Sequence, residues 1–307
     1  MDKLFIVGID TMLGANLAVS CREQFEVHGA TCAAGHAPAG FSVTAVGDAS
    51  AARTKALLAE VRPNWVILAG QLARSSWEDS AAAILWQQEV ALASAFGAAA
   101  REAGVATCLL STDAVFAGPR LFHEENARAT AATAAAVAAR ESEIALVASC
   151  ALVVRTHAYG WRPNGGGLID TLWDQLPALD RPAGEGRHYA TPILASDLAP
   201  LLMRAYERKL RGLYHITGAE RTNRIRFANE LASAAGYDAL DRSPLLQSEV
   251  QSTVAVETSL NTRRARRDLE LPMPLLREGL ERLVAQRVNG YLDRLQPARS
   301  KKTSQAA

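Results

Sequence analysis

Apolar residues in this chain fall into short continuous runs, separated by longer stretches with helical spacing. The first run, Leu4 to Val7, ends at Gly8, and Gly14 then opens a helix-like pattern through Ala18. Phe25 to Cys32, Val43 to Val46, Trp65 to Ala69 and Val105 to Leu110 predict four more strands. Ala51 to Val61 and Ala81 to Ala103 have helical spacing, the second stopped by Gly104. An Ala-rich helix over Ala129 to Glu143 and a strand over Leu146 to Arg155 follow. Continuous apolar strands alternating with helices predict an α/β fold, a doubly wound parallel sheet covered on both faces. Right-handed crossovers bring the loops after Val7, Val46, Ala69 and Leu110 to one edge, where ligands of such sheets bind.

The first of these loops carries candidate chemistry. Gly8 permits a sharp turn, and Gly14 lets the helix pack close to the strand. The first N–H groups of that helix then point at a phosphate. Gly8, Thr11, Met12, Leu13 and Gly14 are the candidate cofactor contacts, with Ala69 and Gly70 after the fourth strand. A third glycine belongs between Gly8 and Gly14 in such loops, and Thr11 stands there, which predicts weak NAD(P)H binding. An ordinary strand–turn–helix explains two glycines equally well. The second strand ends in Cys32-Ala33-Ala34-Gly35-His36, with neither an acidic residue nor an arginine to separate NAD from NADP. His36 is either a ribose contact or a solvated loop residue. Asp48 either meets the adenine amino group or caps the next helix.

Composition narrows the classes. The 307 residues are 49% hydrophobic and 21% charged, with a net charge of +1. This balance gives no electrostatic case for nucleic acid or an acidic membrane. Cys21, Cys32, Cys108 and Cys150 lack C-x-x-C spacing, which argues against a metal site and fits a reducing cytoplasm. Neither a leader segment nor an apolar run of about 18 residues is expected, so the protein is placed in the cytoplasm.

Farther along, a resemblance becomes specific. Leu110-Ser111-Thr112-Asp113-Ala114-Val115-Phe116-Ala117-Gly118 resembles the S-T-D-Y-V-F-D-G stretch of the dTDP-4-dehydrorhamnose reductase family, within the extended short-chain dehydrogenases/reductases. Val153 to Gly160 is similar to its L-R-T-S-W-V-Y-G, and Thr191 to Ala199 to its P-T-x-x-x-D-L-A. Gly212 to Gly218, Arg224 to Ala228 and Leu260-Asn261-Thr262 resemble later motifs. The resemblance implies a Rossmann domain over residues 1–156 that binds NAD(P)H. It implies a region over 157–295 that completes the sheet and forms a small C-terminal substrate-binding lobe for a nucleotide-sugar. Residues 296–307 are expected to be a disordered tail.

The family's tyrosine donates a proton to a 4-keto sugar, and a lysine four residues later lowers the tyrosine pKa. The spacing matters because i and i+4 share one helix face. Here residues 130–143 contain neither. Counting places the tyrosine at Ala134 with the lysine at Ala138; shifted registers give Thr133 with Val137, or Ala135 with Ala139. The supporting asparagine also gives way, to Gln87-Gln88-Glu89. Thr112 remains as the hydroxyl remnant of the catalytic site, with Ser111 beside it, and Ala114 and Ala158 replace aromatic pocket residues.

Tyr159, Thr191, Arg224 and Arg264 are the candidate substrate contacts. Tyr159 is either a replacement proton donor or a buried structural aromatic. His123 and Glu124 are either a relay or a solvent-facing loop. Arg263, Arg264, Arg266 and Arg267 either pair with a diphosphate or form a solvated helix face. Gly165-Gly166-Gly167 is a hinge or a surface loop. The expected function is a reductase-like binding protein for a nucleotide-sugar or dinucleotide, non-catalytic or of altered activity, with a protein partner or as a homodimer. The alternatives are an active NAD(P)-dependent reductase with an unusual donor, or an Ala-rich segment engineered or diverged toward another reaction.

Overall fold

The computed structural model describes residues 1–31, 37–47, 50–78, 86–176, 186–237 and 256–296. In chain order, the first half holds β1 (Lys3–Val7), α1 (Met12–Cys21), β2 (Glu26–Thr31), β3 (Ser42–Ala45), α2 (Ala51–Val61), β4 (Trp65–Leu68), α3 (Trp86–Ala103), β5 (Ala106–Thr112) and α4 (Ala134–Ala148). Then come β6 (Leu152–Thr156), β7 (Ala158–Tyr159), α5 (Leu168–Gln175), β8 (His188–Ala190), β9 (Ile193–Leu194), α6 (Ala195–Glu207) and β10 (Gly212–His215). The chain continues through β11 (Thr222–Asn223), α7 (Arg224–Ala234), β12 (Val256–Glu257), α8 (Arg263–Leu269), α9 (Leu276–Gln286) and α10 (Tyr291–Leu295).

The central sheet is parallel throughout, in the order β10-β6-β5-β4-β1-β2-β3. Its inner strands are apolar on both faces because both are covered. Leu4 and Ile6 face a cluster with Leu13, Leu17 and Leu202, while Phe5 and Val7 face one with Leu57 and Phe96. All of these side chains are buried, each contributing roughly 1.5–3 kcal/mol of transfer free energy. Both outer strands have carbonyls covered by arginine. Arg264 donates to Leu213 O at 3.0 Å, and Glu125 accepts the His215 N–H at 3.2 Å, along β10. Arg53 donates to Ala45 O and Val46 O at the end of β3.

Two elements differ from expectation. The Ala-rich helix begins at Ala134, capped by the Thr133 hydroxyl on Ala136 N, and runs on to Ala148. Leu146 and Val147, assigned from sequence to a strand, belong to its last turn, in which Leu146 is buried and Val147 is 43% exposed. The strand begins only at Leu152, after Cys150 adopts a left-handed backbone (φ 59°). Residues 81–85, His36, Asp48 and the tail over 297–307 lie outside the described residues. Beyond the central sheet, β11-β8-β12 and β7-β9 form two small sheets, packed with α5, α7, α9 and α10 around Trp161, Phe227 and Leu280. Among the described residues no helix is long and apolar enough to cross a membrane, and no cluster of three or more His, Cys, Asp or Glu is placed to hold a metal.

Candidate functional site

The loops after β1, β4 and β5 meet at the carboxyl ends of their strands. Gly8 has φ +90°, and a Cβ there would lie 2.5 Å from Ala69 O. A Cβ on Gly14 would lie 2.0 Å from Gly8 O, so α1 seats directly on the turn. Both glycines thus have the steric roles their positions predict. Thr11 is the N-cap of α1: its hydroxyl accepts from Gly14 N at 3.0 Å and lies 2.8 Å from the carbonyls of both Gly8 and Ala69, either of which it can bond. The residue in the third glycine's place therefore takes one of the helix's first N–H groups for itself. Met12 and Leu13, whose N–H groups have no intrahelical partner by helix geometry, line a cavity of about 160 Å³ with Asp10, Thr11, Gly70, Arg74, Glu78 and Arg162.

Glu89, on α3, stands directly behind Gly70. Its Oε2 accepts from Gln71 N at 3.0 Å and would lie 2.4 Å from a Cβ on Gly70. Burial raises its pKa above the ordinary carboxylate value, opposed by the Gln71 N–H and reinforced by nearby Asp10. Across the cradle, Arg162 donates to Glu78 at 2.9 Å, and Arg74 lies 3.8 Å from the same carboxylate.

A second cavity, of about 230 Å³, is walled by Thr112, Ala114, Phe116, Ala131, Thr133, Ala135 and Trp86, with His188 of β8, Val256 of β12 and Thr258 opposite them. Gln71, Arg74 and Glu78 line both cavities, so the segment over residues 70–78 stands between them. That segment is firmly held. The Thr112 hydroxyl donates to Arg74 O at 2.5 Å and accepts from Ala114 N at 3.0 Å. Ser76 donates to the Asp113 carboxylate twice, from N at 2.9 Å and from Oγ at 2.6 Å. The same carboxylate takes His157 Nδ1 at 2.8 Å and the Thr258 hydroxyl at 2.6 Å. Asp113 is fully buried, and desolvation alone would raise its pKa. The His157 charge and the three side-chain hydrogen bonds outweigh that and hold it at about 2.

The sequence-derived candidates divide on this geometry. Thr11, Met12, Leu13 and Gly70 line the first cavity, above Gly8, Gly14 and Ala69; Thr112 lines the second. Ser111 does not reach either: its hydroxyl donates to Glu143 at 2.6 Å, and Glu143 forms a buried pair with Arg155 at 2.7 Å. Tyr159 is 3% exposed, set edge-on against Phe227, and lines neither cavity; burial and the Asp197 charge push its pKa up. Thr191 is buried, accepting from Leu260 N, and Arg224 begins α7 away from both cavities. Arg264 lies over the Tyr214 ring and lines a separate outer cavity with Glu124, Glu125, Arg263 and Arg267. His123 stacks on Phe116 in the interior, so it does not face solvent. Gly165 borders the first cavity, and both Gly165 and Gly166 have positive φ.

Sequence reasoning missed Ser76, Thr258, His188, Arg74, Glu78 and Arg162. Asp113 lay within the quoted S-T-D stretch, His157 within Val153 to Gly160, and Glu89 within Gln87-Gln88-Glu89, so those three were signalled without a role. No tyrosine or lysine among the described residues lines either cavity.

A search of curated proteins finds no match. Among solved structures, dTDP-4-dehydrorhamnose reductase from Bacillus anthracis str. Ames, in complex with NADP, is 18% identical, with 93% of this chain and 99% of that chain covered at a TM-score of 0.74. Bordetella bronchiseptica WbmH, in complex with NAD+, is 19% identical over 94% and 100% of the two chains, at 0.73. MoeE5, in complex with UDP-glucuronic acid and NAD, is 15% identical over 92% and 98%, at 0.69. These likenesses show the fold, that of sugar-nucleotide reductases and epimerases. The RmlD substrate binding domain model matches residues 2–289, nearly the whole chain, and the protein belongs to that family.

Proposed function

We propose that this chain holds a nucleotide-sugar or dinucleotide in the cleft without carrying out 4-keto reduction. One observation carries the reading. Ala135, on the first turn of α4, lines the same cavity as Thr112, and Ala139, four residues on, is buried behind it. Of the three registers weighed from sequence, Ala135 with Ala139 and Thr133 with Val137 each begin at a residue that lines this cavity, whereas Ala134 is exposed and lines neither cavity. Methyl groups supply no proton. The Thr112 hydroxyl is already committed to Arg74 O, and its hydrogen has no accessible pKa for donation. NAD(P)H, which solved neighbours of this fold bind, would rest on Gly8, Gly14 and the N-terminus of α1, with affinity reduced by Thr11. A role beside a protein partner, or as a homodimer, fits a cleft kept for binding.

Incubation with NADPH and dTDP-4-dehydrorhamnose is expected to give no cofactor oxidation above background. Losing a tyrosine–lysine pair removes roughly 10²- to 10⁴-fold of acid catalysis. Ala135→Tyr with Ala139→Lys, beside the Ala134/Ala138 and Thr133/Val137 versions, tests whether the cleft is otherwise complete. Robust turnover by the native chain would overturn the reading. In that event His188, which lines the cavity opposite α4, becomes the acid in place of Tyr159 or His123. Its substitution by Phe should then abolish turnover, and that is the second reading.

A further inference from the structure

We infer that Glu89 limits dinucleotide affinity at this cleft, as an internal anion set behind the phosphate cradle. The inference rests on reading the first cavity as a nucleotide site. Gly70 and Gln71 line that cavity, and the Glu89 carboxylate lies immediately behind both. It accepts the Gln71 N–H, a backbone donor of the kind a phosphate oxygen would seek. Asp10, on the cavity wall, is close enough to raise the Glu89 pKa by charge. Among the described residues no ion pair neutralises Glu89, whereas Arg162 and Arg74 of the same cradle already face Glu78. A pyrophosphate bearing two negative charges would therefore face Asp10 on the cavity wall and the Glu89 charge behind Gly70 and Gln71, with Arg162 and Arg74 already facing Glu78. Thr11 adds a smaller effect by using the Gly14 N–H. Glu89 lies in the Gln87-Gln88-Glu89 segment, where the family resemblance implies a neutral asparagine.

Glu89→Gln isolates the charge, because the amide oxygen can still accept the Gln71 N–H. Calorimetric titration with NADH and NADPH should show affinity rising on the order of tenfold or more over the native chain, as expected for removing one partly buried like charge. Thr11→Gly should give a smaller gain. Adenosine, which carries no phosphate, should bind Glu89→Gln and native protein alike. A thermal melt of Glu89→Gln confirms that the variant folds, and Glu89→Asn serves as a second neutral version. Unchanged NADH affinity in both neutral variants overturns the inference, as does failure of any of these proteins to bind NADH at millimolar concentration. An equal gain for adenosine also overturns it, since the loop would then have loosened without an effect of charge. The outcome is separable from the catalytic reading, because neutralising Glu89 supplies no proton donor. Keto-reduction by the native chain would sink that reading and leave this one standing.

Discussion

Replacing Asp113 by Asn should cost this protein a large part of its stability. Four donors converge on the Asp113 carboxylate from three separate segments: Ser76 N and Oγ, His157 Nδ1 and Thr258 Oγ1. An amide offers one acceptor oxygen and turns two N–H groups toward the remaining donors. At least one buried donor, set among fully buried groups, is then unsatisfied, and the His157 partner loses its charge. Hydrogen bonds to a buried charged acceptor contribute about 1.5–3 kcal/mol each. The depressed pKa expresses the same interactions. A folded value of about 2, against an ordinary 3.8, corresponds to roughly 2–3 kcal/mol of stability. Because the folded pKa is depressed, that contribution is fully present above the unfolded pKa and is lost as pH falls from about 4 through about 2. Urea unfolding followed by circular dichroism at pH 7 should place Asp113→Asn at least 3 kcal/mol below the native chain. The gap should narrow as both proteins are taken from pH 4 toward pH 2. A cycle with His157→Gln should return a coupling of about 1–3 kcal/mol. A loss below about 1 kcal/mol at pH 7, or a gap independent of pH across that window, would refute the role given to this carboxylate.

Gly14→Ala should destabilise by at least about 2 kcal/mol in the same urea assay, since its Cβ would lie 2.0 Å from a backbone carbonyl that cannot swing aside. Among Cys21, Cys108 and Cys150, only Cys150 is exposed, and burial pushes the Cys21 thiol up to about 12 and Cys108 higher still. Native-state alkylation mapped by mass spectrometry should therefore modify Cys150 well before the other two.

The sheet was legible in the sequence because its signals are local. Runs such as Trp65–Leu68 are apolar at every position, as strands buried on both faces must be, and Gly8 and Gly14 mark a turn that sterics alone dictate. The end of α4 was not legible. Alanine offers little contrast between faces, so Leu146 and Val147 looked like the start of a strand, though only Leu146 packs inward. The site was legible only where motif residues line it. Thr112 does, but Tyr159, from an equally specific stretch, sits in the buried cluster around Trp161 and Phe227. The Asp113 network joins residues 37 and 145 positions away, and no periodicity encodes such a convergence. Glu89 was visible only as the failure of an asparagine, and its charge acquires meaning once Gly70 is seen in front of it.

The arginines over the outer strands bear on how copies of this protein can associate. An open strand edge is a template onto which another chain can add a strand, the usual start of edge-to-edge aggregation. Here Arg264 covers Leu213 O and Glu125 holds the His215 N–H on one side, while Arg53 covers Ala45 O and Val46 O on the other. Extending the sheet would require displacing charged side chains that already satisfy the backbone. On the β10 edge in particular, strand addition by another copy would first have to displace Arg264 and Glu125.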